Sequence, residues 1–238
     1  MSEAGELHAA LALAASERYR NAGLFARKFA LGKLEGDPAF FSILERGLIP
    51  DSSRLLDLGC GQGLMAAWLL AAQARHESGR WPARFPAPPR MRQFTGIELM
   101  DSDVARARDA LGDRAVFIGG DVRTVDFEPA DAAIILDVLH YMDRADQMSV
   151  LERVRDALKP SPGTLLLRVG DASGGFRFNV SRWVDHAVTF ARGHRLSTLH
   201  CRPLSDWQSL LNSLGFAVEA HPMSEGTPFA NVLLVARL

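Results

Sequence analysis

The sequence has few cysteines, almost no net charge and no long apolar run, and each shortage excludes a class of protein. The two cysteines among 238 residues, Cys60 and Cys201, cannot supply the disulfide framework of a small secreted domain. The formal net charge is −1, so no overall basic field would gather polyanions such as nucleic acid. The remaining composition, 47% hydrophobic and 23% charged residues, is that of a soluble globular protein.

The amino-terminal apolar stretch does not have the features of a targeting or membrane segment. "LHAALALAAS" (7–16) follows the acidic flank "MSEAGE", whereas a secretory signal begins with positive charge. The run is also far shorter than the roughly 18–20 residues that span a bilayer. We therefore predict a helix here, a cytoplasmic protein and no membrane contact.

Short apolar runs alternate with helical periodicity along most of the chain. The predicted strands are 54–58, 94–99, 115–121, 131–139, 163–171, 216–222 and 229–238. The predicted helices are 4–34 with a break at Gly23, 38–46, 64–74, 102–112, 147–160 and 205–215, the last opened by a capping box from Ser205 to Gln208. This alternation predicts an α/β fold with a parallel sheet, crossover helices and a closing antiparallel hairpin at one edge.

Three glycines follow the first predicted strand in "LLDLGCGQGLM" (55–65). A glycine-rich turn at this position lets a nucleotide-like ligand lie against bare backbone. The spacing is G-x-G-x-G, and Leu64 stands where the dinucleotide fingerprint requires its third glycine. Asp57 would also repel a pyrophosphate and favours a cationic ligand. A glycine-rich turn that binds nothing is the alternative.

Acidic residues also end the second and third predicted strands. Glu98 is placed to accept hydrogen bonds from ribose hydroxyls, and Asp121 could accept one from the exocyclic amine of an adenine. Together with Asp57 they suit a ligand with an adenosine and a positively charged amino-acid tail. Each acid taken alone could equally be a solvated surface residue.

At these positions the chain resembles the class I S-adenosylmethionine-dependent methyltransferases. "LLDLGCGQG", "GIEL", "GGDV" and "DAAIILDVLHYM" resemble the family's first four motifs, and the resemblance extends over about residues 50–238. It implies a Rossmann-like, doubly wound seven-stranded sheet, mostly parallel with the last strand antiparallel. It also implies a methyltransferase domain over 51–238, an N-terminal helical cap over 1–50, and S-adenosylmethionine as cofactor with S-adenosylhomocysteine as product.

The resemblance also implies which residues hold the cofactor. The first loop would hold its methionine part, Glu98 its ribose, and the residues near 99 and 121 its adenine. The full set is Asp57, Gly59, Cys60, Gly61, Gln62, Gly63, Glu98, Leu99, Asp121, Val122 and Asp137.

The fourth motif bears on the methyl acceptor. Enzymes that methylate base amines usually carry an (Asp/Asn)-Pro-Pro-aromatic run there, whereas this chain has Asp137-Val138-Leu139-His140. "DVLHYM" is similar to small-molecule methyltransferases, so His140 is the candidate base or substrate contact and Tyr141 the candidate for shaping the pocket. Alternatively His140 caps the loop or packs on the cofactor. Oxygen is the favoured acceptor atom, with carbon or nitrogen open.

Two irregular segments and the N-terminal helices offer further substrate contacts. Segment 172–204 is longer than a simple crossover and suggests a substrate lid, and 75–93 carries five arginines and four prolines, which predicts a loop insertion. The candidate substrate residues are Tyr19, Arg27, His186, His194 and Arg195. The histidines lack the short spacing of a metal-ligand pair, so no metal is predicted.

Partners follow from the same observations. We expect a small-molecule substrate and no nucleic acid, in a monomer or a homodimer. Two alternatives stay open: an RNA or protein methyltransferase that uses the arginine-rich loop, and a cofactor-binding regulatory protein without turnover.

Overall fold

Strands and helices alternate along the chain, as the hydrophobic pattern predicts. The computed structural model describes residues 2–160, 162–170, 199–223 and 231–238. The helices are α1 (Glu3–Glu17), α2 (Leu24–Gly36), α3 (Pro38–Glu45), α4 (Leu64–Glu77), α5 (Asp101–Leu111), α6 (Arg144–Leu158) and α7 (Leu204–Ser213). The strands are β1 (Ser53–Leu58), β2 (Met91–Glu98), β3 (Val116–Gly119), β4 (Ala132–Leu136), β5 (Thr164–Gly170), β6 (Ala217–Pro222) and β7 (Asn231–Arg237).

These strands form one seven-stranded sheet in the order β3-β2-β1-β4-β5-β7-β6. The pairs from β3 through β5 are parallel, and β7 runs antiparallel to both β5 and β6. The expected α/β class, the seven strands and the single reversed strand are therefore confirmed. Strand order reverses between β1 and β4, and ligands of open α/β sheets bind beyond the carboxyl ends of strands at such a point.

The helices cover the sheet in two apolar layers. One layer packs α1 to α5 against the sheet, and Trp68 of α4 donates its indole hydrogen to the Phe40 carbonyl of α3 at 2.9 Å. The other layer packs α6 and α7 on the opposite face, with Trp207 buried among leucines. Within the described ranges, no helix has the length and apolarity needed to cross a bilayer.

Several predicted boundaries differ from the structure. β4 ends at Leu136, not 139, because Asp137 takes a left-handed backbone conformation with φ of 61°. α4 continues to Glu77 and β2 begins at Met91, so the irregular insertion is 78–90 rather than 75–93.

The predicted capping box at the start of α7 is wrong. The helix begins at Leu204, one residue before Ser205, and its N-cap is Pro203, which has no side-chain cap. Proline fixes its own φ but has no side-chain oxygen to cap the helix. By contrast, α3 has a side-chain cap, since Asp37 accepts a hydrogen bond from the Ala39 amide at 3.0 Å.

Candidate active site

The glycine loop between β1 and α4 leaves open space at one residue only. Gly59, Gly61 and Gly63 all have positive φ, of 73°, 55° and 78°. A Cβ at Gly59 would lie 2.2 Å from Val138 Cγ2, and one at Gly63 would lie 2.8 Å from the Phe117 ring. A Cβ at Gly61 meets no described atom within 4 Å. Gly59 and Gly63 are therefore required by internal packing, and Gly61 presents bare backbone outward.

Two carboxylates flank this opening. Asp57, in β1, is 5% exposed, and burial, reinforced by the neighbouring Glu98 charge, raises the pKa of Asp57 to about 8. Glu98, the last residue of β2, reaches across to the loop and accepts hydrogen bonds from the amides of Gly61 and Met100, both at 2.9 Å. A carboxylate accepts up to about four hydrogen bonds, so Glu98 keeps acceptor capacity for a ligand hydroxyl.

The N-terminal helices dock directly on the glycine loop. Tyr19 is fully buried and donates its hydroxyl hydrogen to the Gln62 carbonyl at 2.8 Å. The Gln62 side chain donates in turn to the Ala26 carbonyl of α2 at 2.8 Å. Tyr19 was predicted to meet the substrate, but the structure uses its hydroxyl to hold the loop, and burial raises its pKa well above the usual range. The sequence pattern offers no sign of this pairing across 43 residues.

The three residues predicted to hold an adenine differ in exposure and in their partners. Leu99 is 57% exposed, so its side chain is available to a flat ring. Val122 is buried in the apolar layer beneath β3, which leaves its backbone rather than its side chain to face a ligand. Asp121 accepts hydrogen bonds from the backbone amide and the guanidinium of Arg123, which lower its pKa. An adenine amine would share Asp121 with Arg123, a partner that the sequence analysis did not identify.

The loop after β4 carries the candidate base. His140 and Tyr141 lie in a short 3₁₀ turn over Leu139–Tyr141, with their ring centroids 4.2 Å apart. Burial lowers the pKa of His140, and the nearby Asp137 and Arg168 charges act in opposite directions on it. Both carboxylate oxygens of Asp137 are bonded by Arg168, while the side chain stays partly exposed.

Gln147 of α6, which the sequence analysis missed, fixes this loop. It is fully buried, and its two Nε2 hydrogens are shared among the carbonyls of Leu139, Met142 and His200, at 3.0, 3.0 and 2.7 Å from Nε2. His200 also donates its amide hydrogen to the His140 carbonyl at 2.8 Å. A glutamine at a helix position gives no sequence signal for such a role.

Of the remaining candidate residues, the structure describes Arg27 and Cys60. Arg27 pairs with Glu17 on the N-terminal helices. Cys60 is buried, and burial raises the pKa of its thiol. His186, His194 and Arg195 lie outside the described residues, as does most of the predicted lid. Within the described ranges, no three His, Cys, Asp or Glu side chains converge as a metal site would require.

Comparison with known proteins agrees with this geometry. The sequence profile of a methyltransferase domain matches residues 29–221. A carboxy-S-adenosyl-L-methionine synthase from Chromohalobacter salexigens is 32% identical over 120 residues, which cover 48% of this chain and 39% of that protein. The chain thus spans well under half the length of this curated relative.

Solved structures share the fold at low identity. Magnesium protoporphyrin IX methyltransferase from Synechocystis, with bound S-adenosylhomocysteine, superposes with a TM-score of 0.57 at 15% identity, covering 98% of this chain and 99% of that one. An O-methyltransferase family 2 protein from Planctomyces limnophilus, in complex with apigenin, gives a TM-score of 0.61 at 17% identity over 95% of this chain and 65% of that one. With its glycine loop, its reversed last strand and a matching domain profile over most of its length, the chain belongs to the class I S-adenosylmethionine-dependent methyltransferases.

Proposed function

We propose that this protein transfers a methyl group from S-adenosylmethionine to a small molecule, with an oxygen of a hydroxylated or carboxylated metabolite as the acceptor. The observation that carries the proposal is the opening at Gly61, which has bare backbone and is flanked by Asp57 and Glu98. The Glu98 carboxylate gives this opening its negative charge, which would repel a phosphate. A cationic nucleoside beside Asp57 would favour the ionised form of that carboxyl as well.

The residues at the opening fit the cofactor. Asp57 is a buried acid beside the place where a cationic tail would lie, and Glu98 retains acceptor capacity for ribose hydroxyls. Gln62 Oε1 is buried and has no hydrogen-bond partner within the described part of the chain, although buried acceptors are normally paired. An ammonium group of the cofactor would supply that missing donor. Leu99 would cover a face of the adenine.

When bound, S-adenosylmethionine supplies an electrophilic methyl group on a positively charged sulfur. The protein then has to orient the acceptor and exclude water. His140 would take the hydroxyl proton as the new oxygen–carbon bond forms and the sulfur–carbon bond breaks. Burial lowers the pKa of His140, which favours the neutral imidazole that can accept that proton.

The structural neighbours support a small acceptor. One is described as bound to apigenin and another as a mitomycin 7-O-methyltransferase, and both are similar to this chain in fold alone. The motif after β4, which lacks the Pro-Pro-aromatic run, supports the same interpretation.

The direct test begins with cofactor binding and then turnover. Calorimetry with purified protein is expected to detect S-adenosylhomocysteine binding, and no detectable binding would overturn the proposal. A methyl-donor turnover screen against hydroxylated aromatics and carboxylic acids follows. His140→Ala is expected to keep S-adenosylhomocysteine affinity within about threefold while turnover falls about 10²–10⁴-fold, the usual contribution of a general base.

His76→Ala is the matched control for the base, since His76 is an exposed residue at the carboxyl end of α4. It should leave both affinity and turnover unchanged. Turnover that survives in His140→Ala would remove His140 as the base while leaving the methyltransferase assignment intact.

A second candidate function comes from the curated relative. Its name describes synthesis of a carboxylated S-adenosylmethionine, and 32% identity over 120 residues favours testing this chain for it. Mass spectrometry of the nucleoside released from the purified protein distinguishes the two. Plain S-adenosylmethionine or S-adenosylhomocysteine supports methyl transfer, and a carboxylated form supports the second candidate.

A further inference from the structure

Two buried charges, Arg168 and Asp37, join the N-terminal helices to the partly exposed Asp137 at the carboxyl ends of β4 and β5. Arg168 of β5 is 3% exposed, and its Nε donates to Asp137 Oδ1 at 2.8 Å. Its Nη2 bonds the other oxygen of Asp137, and its Nη1 bonds Asp37. The arginine therefore grips one carboxylate with two nitrogens and reaches a second one with the third.

Asp37 brings the N-terminal segment into this ion group. It lies at the junction of α2 and α3, caps α3 through the Ala39 amide, and has Lys33 Nζ 2.8 Å from its second oxygen. Burial would raise the pKa of Asp37, but the Arg168 and Lys33 charges hold it below the usual range. Two positive and two negative charges thus balance in this group, with Arg168 and Asp37 buried and Lys33 and Asp137 partly exposed.

Asp137 is the strained member of the group. Its φ of 61° is uncommon for a residue with a side chain, and such a conformation persists only where the surrounding structure enforces it. The grip of Arg168 supplies that enforcement. Asp137 begins the loop that leads to His140 three residues later, so its backbone direction sets where the candidate base lies.

α2 connects this group to the cofactor loop. At its amino-terminal end the Ala26 carbonyl accepts the Gln62 side chain, and at its carboxyl end Asp37 is bound to Arg168. These two anchors lie after β1 and beside β4 and β5, on either side of the place where the strand order reverses. α2 therefore extends across the carboxyl ends of the central strands, where the cofactor and the acceptor would meet.

We propose that Arg168 is a positioning residue that links docking of the N-terminal helices to the geometry of the His140 loop. Arg168 holds Asp137 in its left-handed conformation, and Asp37 holds Arg168 in place. The role in catalysis rests on the proposed methyl transfer, whereas the structural link is measurable in the free protein.

Asp37→Asn is the variant that tests this link. Asparagine caps helices as well as aspartate and has nearly the same volume, so the start of α3 is kept while the charge that holds Arg168 is lost. Asp131→Asn is the matched control, because Asp131 accepts two guanidinium hydrogens from Arg54, at 3.1 and 2.8 Å. Asp131 lies just before β4, at the amino ends of the parallel strands and so away from Asp137.

Hydrogen exchange is measured by mass spectrometry on the free protein and on its mixture with S-adenosylhomocysteine. The Tyr141 and Met142 amides, which donate to Val138 and Leu139 carbonyls, are expected to exchange at least tenfold faster in Asp37→Asn than in the wild type. In Asp131→Asn they should change less than threefold relative to the amides of β1. Affinity for S-adenosylhomocysteine should change less than threefold in both variants.

The outcomes separate the two proposals. Unchanged exchange of Tyr141 and Met142 in Asp37→Asn, or an equal change in Asp131→Asn, would overturn the positioning role. With an acceptor from the turnover screen, kcat should fall at least tenfold in Asp37→Asn with KM for the methyl donor nearly constant. Should Asp37→Asn fail to fold, Arg168→Lys, which keeps the charge but not the two-nitrogen grip, must show the same exchange result. Failure of the wild type to bind S-adenosylhomocysteine would overturn the proposed function and leave the exchange test valid.

Discussion

At the scale of single residues, the glycines of the first loop divide the work of packing and binding. Gly59 faces Val138, so it lets the loop after β1 lie against the loop after β4. A Cβ at Gly61 would meet no described atom, and the Gly61 amide donates a hydrogen bond to the Glu98 carboxylate. Gly59 is therefore required for close packing of two loops, and Gly61 for bare backbone at the opening.

This division predicts different effects of adding one methyl group. Gly59→Ala should lose about 2–4 kcal/mol of unfolding free energy, from left-handed strain and overpacking. Gly61→Ala should lose only about 1–2 kcal/mol from strain but bind S-adenosylhomocysteine at least tenfold more weakly. Denaturant unfolding and calorimetry measure the two effects. Val138→Ala should restore part of the stability of Gly59→Ala, and a lack of any rescue would contradict the assigned clash.

Asp57 predicts a pH dependence of stability. Its folded-state pKa of about 8 lies above the unfolded value of about 3.9, so the folded protein holds a proton that the unfolded chain releases between these values. The unfolding free energy should therefore fall as pH rises through this window, by at most about 1.4 kcal/mol per pH unit from this group.

Asp57→Asn isolates that contribution. Because the variant has no carboxyl to titrate at this position, its unfolding free energy minus that of the wild type should increase from pH 5 to pH 8.5. Urea unfolding at several pH values measures this difference. A difference that stays constant with pH would show that the Asp57 carboxyl is not held protonated in the folded protein.

At the scale of secondary-structure elements, α6 organises the loop after β4 through a single side chain. Gln147 shares its two amide hydrogens among three carbonyls, of Leu139, Met142 and His200, and its oxygen accepts a hydrogen bond from Arg202 Nε at 2.6 Å. The loop with the candidate base and the chain segment at 200 are thereby held by one helix.

Gln147→Leu should therefore destabilise more than an ordinary buried substitution. It leaves three carbonyls without this donor, and we expect a loss of about 2–4 kcal/mol, since an unsatisfied buried group costs about 1–3 kcal/mol. Affinity for S-adenosylhomocysteine should change little because the glycine loop is held by other contacts. Unfolding experiments compare it with Gln73→Leu, which removes one hydrogen bond, to the Pro89 carbonyl. Equal losses in the two variants would contradict the organising role of Gln147.

At the scale of the whole molecule, charge is balanced locally as well as in total. Two arginines of the insertion have acidic partners in the structure, Arg84 with Glu3 and Arg90 with Asp51. The cluster that looks basic in the sequence is thus partly neutralised by residues distant in the chain.

This neutralisation predicts weak binding of RNA. Fluorescence anisotropy with a labelled single-stranded RNA at about 0.1 M salt should show no saturable binding below about 10 μM, since phosphate contacts made by free arginines dominate such affinity. Tight binding that falls steeply with salt, and that is lost in Arg80→Ala, would instead support the RNA methyltransferase alternative.

The pattern of apolar runs was sufficient to predict the α/β class and the number of strands, because each element has its own periodicity. The glycines at 55–65 and the acids after three strands indicated a cationic nucleoside, and the resemblance to the methyltransferase family implied S-adenosylmethionine. Boundaries were less accurate where one residue departs from regular geometry, as Asp137 does at the end of β4 and Pro203 does before α7.

Local sequence by itself determined the elements, the glycine loop and the acids that follow the strands, since these depend on spacing along the chain. Only the tertiary structure decided that Tyr19 holds the Gln62 carbonyl and that Arg168 is shared between Asp37 and Asp137. Those contacts join residues 43, 131 and 31 positions apart, and their existence depends on how the helices settle on the sheet. No local periodicity carries that information.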